Sequence, residues 1–167
     1  MFFGVRSGAG SVDLNVPASF VKGCSFHYGL NSAVATLYDS NGVEISNNLI
    51  FGSVDTAIIT DSATNVIKNN VIGNIFHSQL WLDALENSDN EDFGDHVTPS
   101  GIDTKETSDV IITGNRVSGV TGACFSGRGE SCDKSAACND ILTESKVKNN
   151  VGKACLQGFF NFRNSFN

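Results

Sequence analysis

The chain has 167 residues, 40% of them hydrophobic and 17% charged, with a net charge of −7. That apolar content excludes disorder and is enough for one domain with a core. The negative balance, with 11 Lys and Arg scattered along the chain, argues against nucleic acid or an anionic membrane surface as partner. Gly is common at 17 and Pro rare at 2, which favours short strands joined by tight turns over helices.

The opening MFFGVRSGAG lacks the apolar core of a signal peptide, so the chain reads as intracellular or as an internal stretch of a longer protein. No apolar run approaches the roughly 18 residues needed to span a bilayer, and no direct membrane insertion by this segment is expected. PASFVKGCSFHY (17 to 28) then reads as a short strand, a corner at Cys24 and a second strand. The same pattern returns in NGVEISNNLIFG (41 to 52), ATNVIKNNVIGN (63 to 74), SDVIITGNRVSG (108 to 119) and TESKVKNNVGKA (143 to 154). Between these copies lie further strand-like runs, AVATLYDS (33 to 40), TAIITDS (56 to 62), GIDTKETS (101 to 108) and GACFSGRG (122 to 129). All are too short for helices.

The equivalent corner positions are Cys24, Asn48, Asn70, Asn115 and Asn150, at offsets of 24, 22, 45 and 35 residues. The first two offsets are one coil each. The third is two coils or one coil with a long insertion, and the fourth is one coil plus a loop. The fold class expected is all-β, a right-handed parallel β-helix of about 22-residue coils with inserted loops, forming a single domain over 1–167. Stacked coils bury a common interior, and Asn48, Asn70, Asn115 and Asn150 form a structural ladder whose amides bond each other and the nearby backbone. Asn also tolerates the left-handed conformation of a sharp corner.

Two stretches interrupt the repeat. An acidic insertion loop (77–100) follows HSQLWL and carries Asp83, Glu86, Asp89, Glu91, Asp92 and Asp95, with a short helix through LWLDALEN. The stretch reads first as a solvated acidic loop; the alternative is a cation site, for which calcium suits the carboxylates and Asp89, Glu91 and Asp92 are the metal candidates, though the spacing is not that of an EF-hand. A Cys-containing loop (124–140) holds Cys124, Cys132 and Cys138, whose spacing fits no zinc template and favours a disulfide within this group over free thiols or metal. Five Cys leave at least one unpaired, and Cys24 is expected to be it.

These strings resemble a known family. FVKGCSFHYG (20 to 29), VEISNNLIFGSVDTAI (43 to 58), VIKNNVIGNIF (66 to 76), GRGESC (127 to 132) and VKNNVGKACLQGFF (147 to 160) are similar to the β-helix region of the fibrocystin and fibrocystin-L family. Cell-migration-inducing hyaluronan-binding protein and transmembrane protein 2 share that region. The resemblance implies an extracellular or cell-surface parent, membrane-anchored or secreted, with a G8 domain upstream. It also implies hyaluronan or another glycan as ligand, and for the fibrocystin branch a receptor-like or surface-coat role.

Among residues that carry chemistry, Asp39 and Asp61 are 22 apart at the ends of equivalent strands. With Asp55, Asp103 and Glu106 they are the carboxylate candidates for catalysis or calcium, since β-helix polysaccharide enzymes gather carboxylates on one outer face. The alternative for Asp39 and Asp61 is a pair of turn carboxylates in the repeated Asp-Ser dipeptide. Trp81 reads as a residue buried against the helix flank or, alternatively, as one that stacks on a sugar ring, and His77 and His96 as structural or exposed histidines or, alternatively, as ligand-binding neighbours. SGAGS (7 to 11) and SGRGE (126 to 130) lack the context of phosphate loops.

The leading expectation is a noncatalytic extracellular β-helix module, binding a glycan or extracellular protein and needing no cofactor. The rivals are a calcium-dependent polysaccharide-cleaving enzyme of the hyaluronan type and a structural spacer. An enzyme calls for clustered carboxylates in a groove, a binding module for exposed aromatics, and a spacer for neither. Both ends read as cut through a coil, so the isolated stretch is expected to expose unpaired strand edges.

Overall fold

The structure, a computed structural model, describes residues 2–3, 10–29, 32–36, 40–53, 55–60, 62–75, 99–105, 109–128 and 145–163. Strands β1 (Phe2–Phe3) and β2 (Gly10–Leu14) precede five full coils. The first three coils are β3 (Phe20–Lys22), β4 (Ser25–His27) and β5 (Ser32–Thr36); β6 (Glu44–Ser46), β7 (Leu49–Phe51) and β8 (Ile58–Thr60); and β9 (Val66–Lys68), β10 (Val71–Ile75) and β11 (Ile102–Lys105). The last two are β12 (Ile111–Thr113), β13 (Arg116–Val120) and β14 (Phe125–Arg128), then β15 (Lys146–Lys148), β16 (Val151–Cys155) and β17 (Phe160–Arg163).

Every third strand joins the same sheet. Sheet A is β1-β4-β7-β10-β13-β16, sheet B is β2-β5-β8-β11-β14-β17 and sheet C is β3-β6-β9-β12-β15. All pairings are parallel. Three parallel sheets wound by one chain, with strands returning coil after coil, make a parallel β-helix. Asn70 and Asn115, 45 residues apart, belong to adjacent coils because β10 pairs directly with β13 and β9 with β12. The long offset is therefore one coil plus an insertion.

The core follows from period-2 alternation on each face. Val21, Ile45, Ile67 and Ile112 stack inward from sheet C; Phe26, Ile50, Ile72 and Val117 from sheet A; Val34, Ile58, Ile102 and Phe125 from sheet B. Each fully buried Ile or Phe contributes about 1.5–3 kcal/mol by leaving water. Repetition of like side chains at one depth is what the aligned sequence copies encode.

The corner between sheets C and A carries the asparagine ladder. Asn48 Nδ2 donates to Asn70 Oδ1 at 3.0 Å, Asn70 Nδ2 to Asn115 Oδ1 at 3.0 Å and Asn115 Nδ2 to Asn150 Oδ1 at 3.1 Å. Each amide also bonds the neighbouring coil's backbone: Asn70 Oδ1 accepts from Asn48 N, and Asn70 Nδ2 donates to Ile45 O, both at 3.0 Å. Cys24 takes the fifth place and donates its N–H to Asn48 Oδ1 at 2.9 Å.

The left-handed residue at this corner stands one position earlier than expected. Gly23, Asn47, Asn69, Gly114 and Asn149 have φ between 55° and 66°, whereas the ladder asparagines do not have positive φ. The tight turn and the inward amide are separate demands, so the repeat needs a dipeptide: a residue tolerant of positive φ, then an Asn.

A second polar cluster lies buried at the corner between sheets B and C. Asn65 Nδ2 reaches Thr60 Oγ1 at 2.6 Å and Ser62 Oγ at 2.8 Å, Ser62 Oγ and Ser40 Oγ are 3.3 Å apart, and Thr36 Oγ1 donates to Thr60 Oγ1 at 3.1 Å. Asn65 Oδ1 accepts from Val43 N at 2.9 Å, so its amide is used on both sides.

The disulfide joins Cys124 to Cys155, with Cα atoms 5.5 Å apart, rather than to a neighbour in the Cys-rich run. Cys124 is buried just before β14, and Cys155 closes β16 of the following coil. Stacking brings the two within bonding range. Gly152 leaves room for the bridge, since a Cβ there would lie 2.5 Å from Cys124 Sγ. Cys24 is a free thiol, as expected, and Cys132 and Cys138 lie outside the described residues.

Candidate functional site

Of the five candidate carboxylates the structure describes two. Asp55 is half-buried and accepts a hydrogen bond from Thr56 N at 2.7 Å. Asp103 lies in β11, almost fully buried, and its carboxylate accepts a hydrogen bond from Ser126 Oγ at 2.6 Å. Its register partners on either side are Ile59 and Ser126, so no described carboxylate stacks upon it along sheet B. Asp39, Asp61 and Glu106 lie outside the described residues, as do Trp81, His77, His96, Asp89, Glu91, Asp92 and the expected helix of the acidic insertion. Among the described residues no three His, Cys, Asp or Glu side chains gather as a metal ion requires.

The structure instead assembles a surface that the sequence disperses. The strands of sheets A and C hold six of the 11 cationic residues, Lys22, Lys68, Arg116, Lys146, Lys148 and Lys153. They hold only one of the 18 acids, Glu44. Six cations scattered along the chain thus fall on two adjacent sheets of a molecule whose total charge is −7, while Lys105, Arg128 and Arg163 belong to strands of sheet B. Lys22, Ser46, Lys68, Thr113 and Lys148 share one column of sheet C, in register from coil to coil, with Ser46 fully buried. The signal for it was present in the repeats: in three of the five copies a Lys stands two residues before the ladder position.

Glu44 sits between two of these lysines. Its Oε2 is 2.8 Å from Lys22 Nζ and its Oε1 is 2.9 Å from Lys68 Nζ, while Ser46 Oγ donates to Oε1 at 2.9 Å. Hydrogen bonds from Lys22, then Lys68, then Ser46 lower its pKa to about 2, so the clamp remains charged through the physiological range. Lys22 also lies over the Phe20 ring at 5.0 Å from its centroid.

Beside the cations lie exposed apolar and aromatic side chains. On sheet A, Leu49, Val71, Arg116 and Val151 form the outward column next to the corner, with Val151 57% exposed. His27 stacks on Phe51 at 6.4 Å with an interplanar angle of 15°. The Phe51 ring lies over Gly73, where a Cβ would come within 2.5 Å of it. Tyr28 is 69% exposed and Phe20 66%. At the shared corner Asn47, Asn69 and Asn149 are exposed, so a row of free-standing amides separates the lysine column from the apolar one.

Three sheets of parallel strands with a stacked amide ladder define a parallel β-helix protein. No family model matches the chain, and no solved structure matches it significantly. Two curated proteins are distantly similar to it. Human (Homo sapiens) fibrocystin-L is 26% identical over 115 residues, covering 69% of this chain and 2% of the relative. Mouse (Mus musculus) fibrocystin-L is 26% identical over 118 residues, covering 71% of this chain and 3% of the relative. The chain therefore spans a small fraction of the length of the proteins it matches, and the family resemblance read from its repeats is found as a distant similarity.

Proposed function

We propose that the chain is a noncatalytic recognition module of an extracellular or cell-surface protein, contacting a glycan or protein partner through the outer faces of sheets A and C. The observation that carries this reading is the outer surface of these two sheets, which displays lysines, exposed amides and exposed aromatic rings. A spacer has no use for exposed aromatics such as Tyr28 and Phe20, whereas a binding face does. The distant similarity to fibrocystin-L and a disulfide suited to an oxidising compartment support placement in an ectodomain. The rival enzymatic reading gains nothing from Asp103, which is buried and has no described carboxylate stacked upon it.

The test is a binding screen of the folded chain against neutral and acidic glycans and extracellular proteins. Polysaccharide size is followed in parallel with calcium and with a chelator. Saturable binding with unchanged polymer length is expected. Calcium-dependent shortening of a polymer would establish an enzyme, and the absence of any binding would leave a spacer.

A further inference from the structure

Apart from the outer faces of the sheets, we infer that the last coil (β15 to β17) takes up an extended segment of a separate polypeptide whose corner carries an asparagine. The segment adds in parallel to β15 and β16, and its amide continues the ladder past Asn150. Two observations meet at this surface: the ladder has a direction, and the solenoid interior is closed at one end and open at the other.

Each ladder amide serves the coil before its own. Oδ1 of Asn48, Asn70, Asn115 and Asn150 accepts from the backbone N–H of Cys24, Asn48, Asn70 and Asn115 at distances of 2.9 to 3.0 Å. Nδ2 of the same residues donates to Val21 O, Ile45 O, Ile67 O and Ile112 O, again at 2.9 to 3.0 Å. Asn150 stands last. Among the described residues no amide oxygen meets its N–H, and no amide donor meets Val147 O, the counterpart of Ile112 O in the register of sheet C. At the other end Cys24 holds the ladder position, and its thiol turns to Lys22 O of its own coil at 3.6 Å. The row of amides therefore starts within the first coil and finishes with unmet demand on the last.

The apolar interior shows the same asymmetry. In the first coil Val21 is 7% and Phe26 3% exposed, whereas Phe160, in register with the buried Phe125, is 43% exposed and Phe159 beside it 37%. Val147 and Gly152, in register with the buried Ile112 and Val117, are only half-buried. Among the described residues β15, β16 and β17 are the outermost strands of their sheets. An apolar floor bounded by strand edges is the surface that strand addition uses, with main-chain bonds giving affinity and side-chain seats giving selectivity. Here the ladder names the seat. A short carboxamide offers both an oxygen to Asn150 N and a hydrogen to Val147 O, which Asp, Ser and Cys do not. The residue before it must accept positive φ, as Gly23, Asn47, Asn69, Gly114 and Asn149 do. Apolar residues three before and two after the Asn complete the pattern, as Ile67 and Ile72 do around Asn70. A second copy of the chain meets these demands poorly, since its ladder asparagines are already engaged and its first coil brings Cys24 to the corner.

The experiment titrates the full chain with a synthetic peptide, ATNVIKNNVIGN, which repeats residues 63–74 and so carries the strand, corner and strand of one coil. Two comparison peptides replace the counterpart of Asn70 by Ala or scramble the order. Hydrogen exchange locates the bound peptide, and sedimentation gives the oligomeric state of the chain alone. Saturable binding is expected, with exchange slowed in β15 and β16 and unchanged in β3. The Ala peptide should bind about tenfold more weakly. N150A in the chain should weaken the parent peptide by about fivefold, because Asn150 Nδ2 is the donor that meets the incoming Oδ1. V16S, at a 59% exposed position of the first coil, should leave the affinity unchanged. Melting curves for both variants separate loss of binding from loss of fold.

Equal binding of the Ala or scrambled peptide, protection that falls outside β15 to β17, indifference to N150A, or no binding at all would each overturn the inference. Self-association of the chain through its last coil, resistant to the peptide, would make a second copy the occupant and overturn it as well. The surface is separate from the outer faces of sheets A and C, so its failure leaves the recognition reading standing.

Discussion

Replacing Asn70 with Ala tests whether the amide ladder holds the coils together. Asn70 is fully buried, and its side chain satisfies Asn48 N and Ile45 O, two backbone groups of the preceding coil, each at 3.0 Å. It also links Asn48 Nδ2 and Asn115 Oδ1 at 3.0 Å each. The Ala variant strips both backbone groups of these partners in a dry interior. At about 1–3 kcal/mol for each orphaned group, N70A should lose about 2–6 kcal/mol. Asn150 makes the matching bonds to Asn115 N and Ile112 O at 2.9 Å, but at a half-buried site where water can substitute. N150A should therefore lose only about 1–2 kcal/mol. Urea unfolding followed by circular dichroism measures both, with an unchanged denaturant slope showing that the same surface unfolds. A loss below about 1 kcal/mol for N70A, or one no larger than for N150A, would refute the claim that buried amide satisfaction stabilises the stack.

Three further outcomes follow from the structure. The Cys124–Cys155 bridge closes a span of 31 residues, so C124S/C155S should lower stability by about 3–4 kcal/mol in urea, a difference that disappears when the parent is reduced. Glu44, with its pKa lowered to about 2, contributes stability that is fully present above its unfolded pKa near 4.5 and lost as pH falls through about 2. E44Q should therefore melt lower than the parent at pH 6 and converge with it towards pH 2; parallel melting curves across that range would count against the clamp. At Gly101 a Cβ would meet Val117 and approach Cys124 O to 2.6 Å, a backbone atom that cannot swing aside. G101A should lose about 1–3 kcal/mol, checked by its thermal midpoint.

The fold was legible because a solenoid writes the same local demand many times. Asn48, Asn70, Asn115 and Asn150 announce the coil, and the alternating apolar residues around them announce the interior. The repeat also located the second polar corner without revealing its nature. The Asp-Ser dipeptides marked this corner, where the structure turns Ser40 and Ser62 inward, 3.3 Å apart, while Asp39 and Asp61 lie outside the described residues. Position of the left-handed residue was harder, since Asn is suited both to positive φ and to amide stacking, and only the backbone separates the two roles. The disulfide was not legible: proximity in sequence favoured Cys132 and Cys138, but stacking brings residues 31 apart into contact. The basic face failed for the same reason, because Lys22, Lys68 and Lys148 are distant in the chain and align only once register is known. The catalytic and metal candidates other than Asp55 and Asp103 lie outside the described residues, so their chemistry is decided by experiment.

The coils are indifferent to what happens between them. Val71↔Arg116, Ile72↔Val117 and Ile75↔Val120 stay in step, and so do Ile58↔Ile102 and Asp103↔Ser126, although one long connection separates β10 from β11 and another separates β14 from β15. Closing a longer connection raises the entropic penalty only slowly, by about 0.6 kcal/mol for each doubling of its length. Ladders that lock register from inside therefore free the corners to grow. Such a protein can acquire new surface by splicing sequence into a turn, with no renegotiation of its interior, and can diverge widely in length while its axis keeps one pitch.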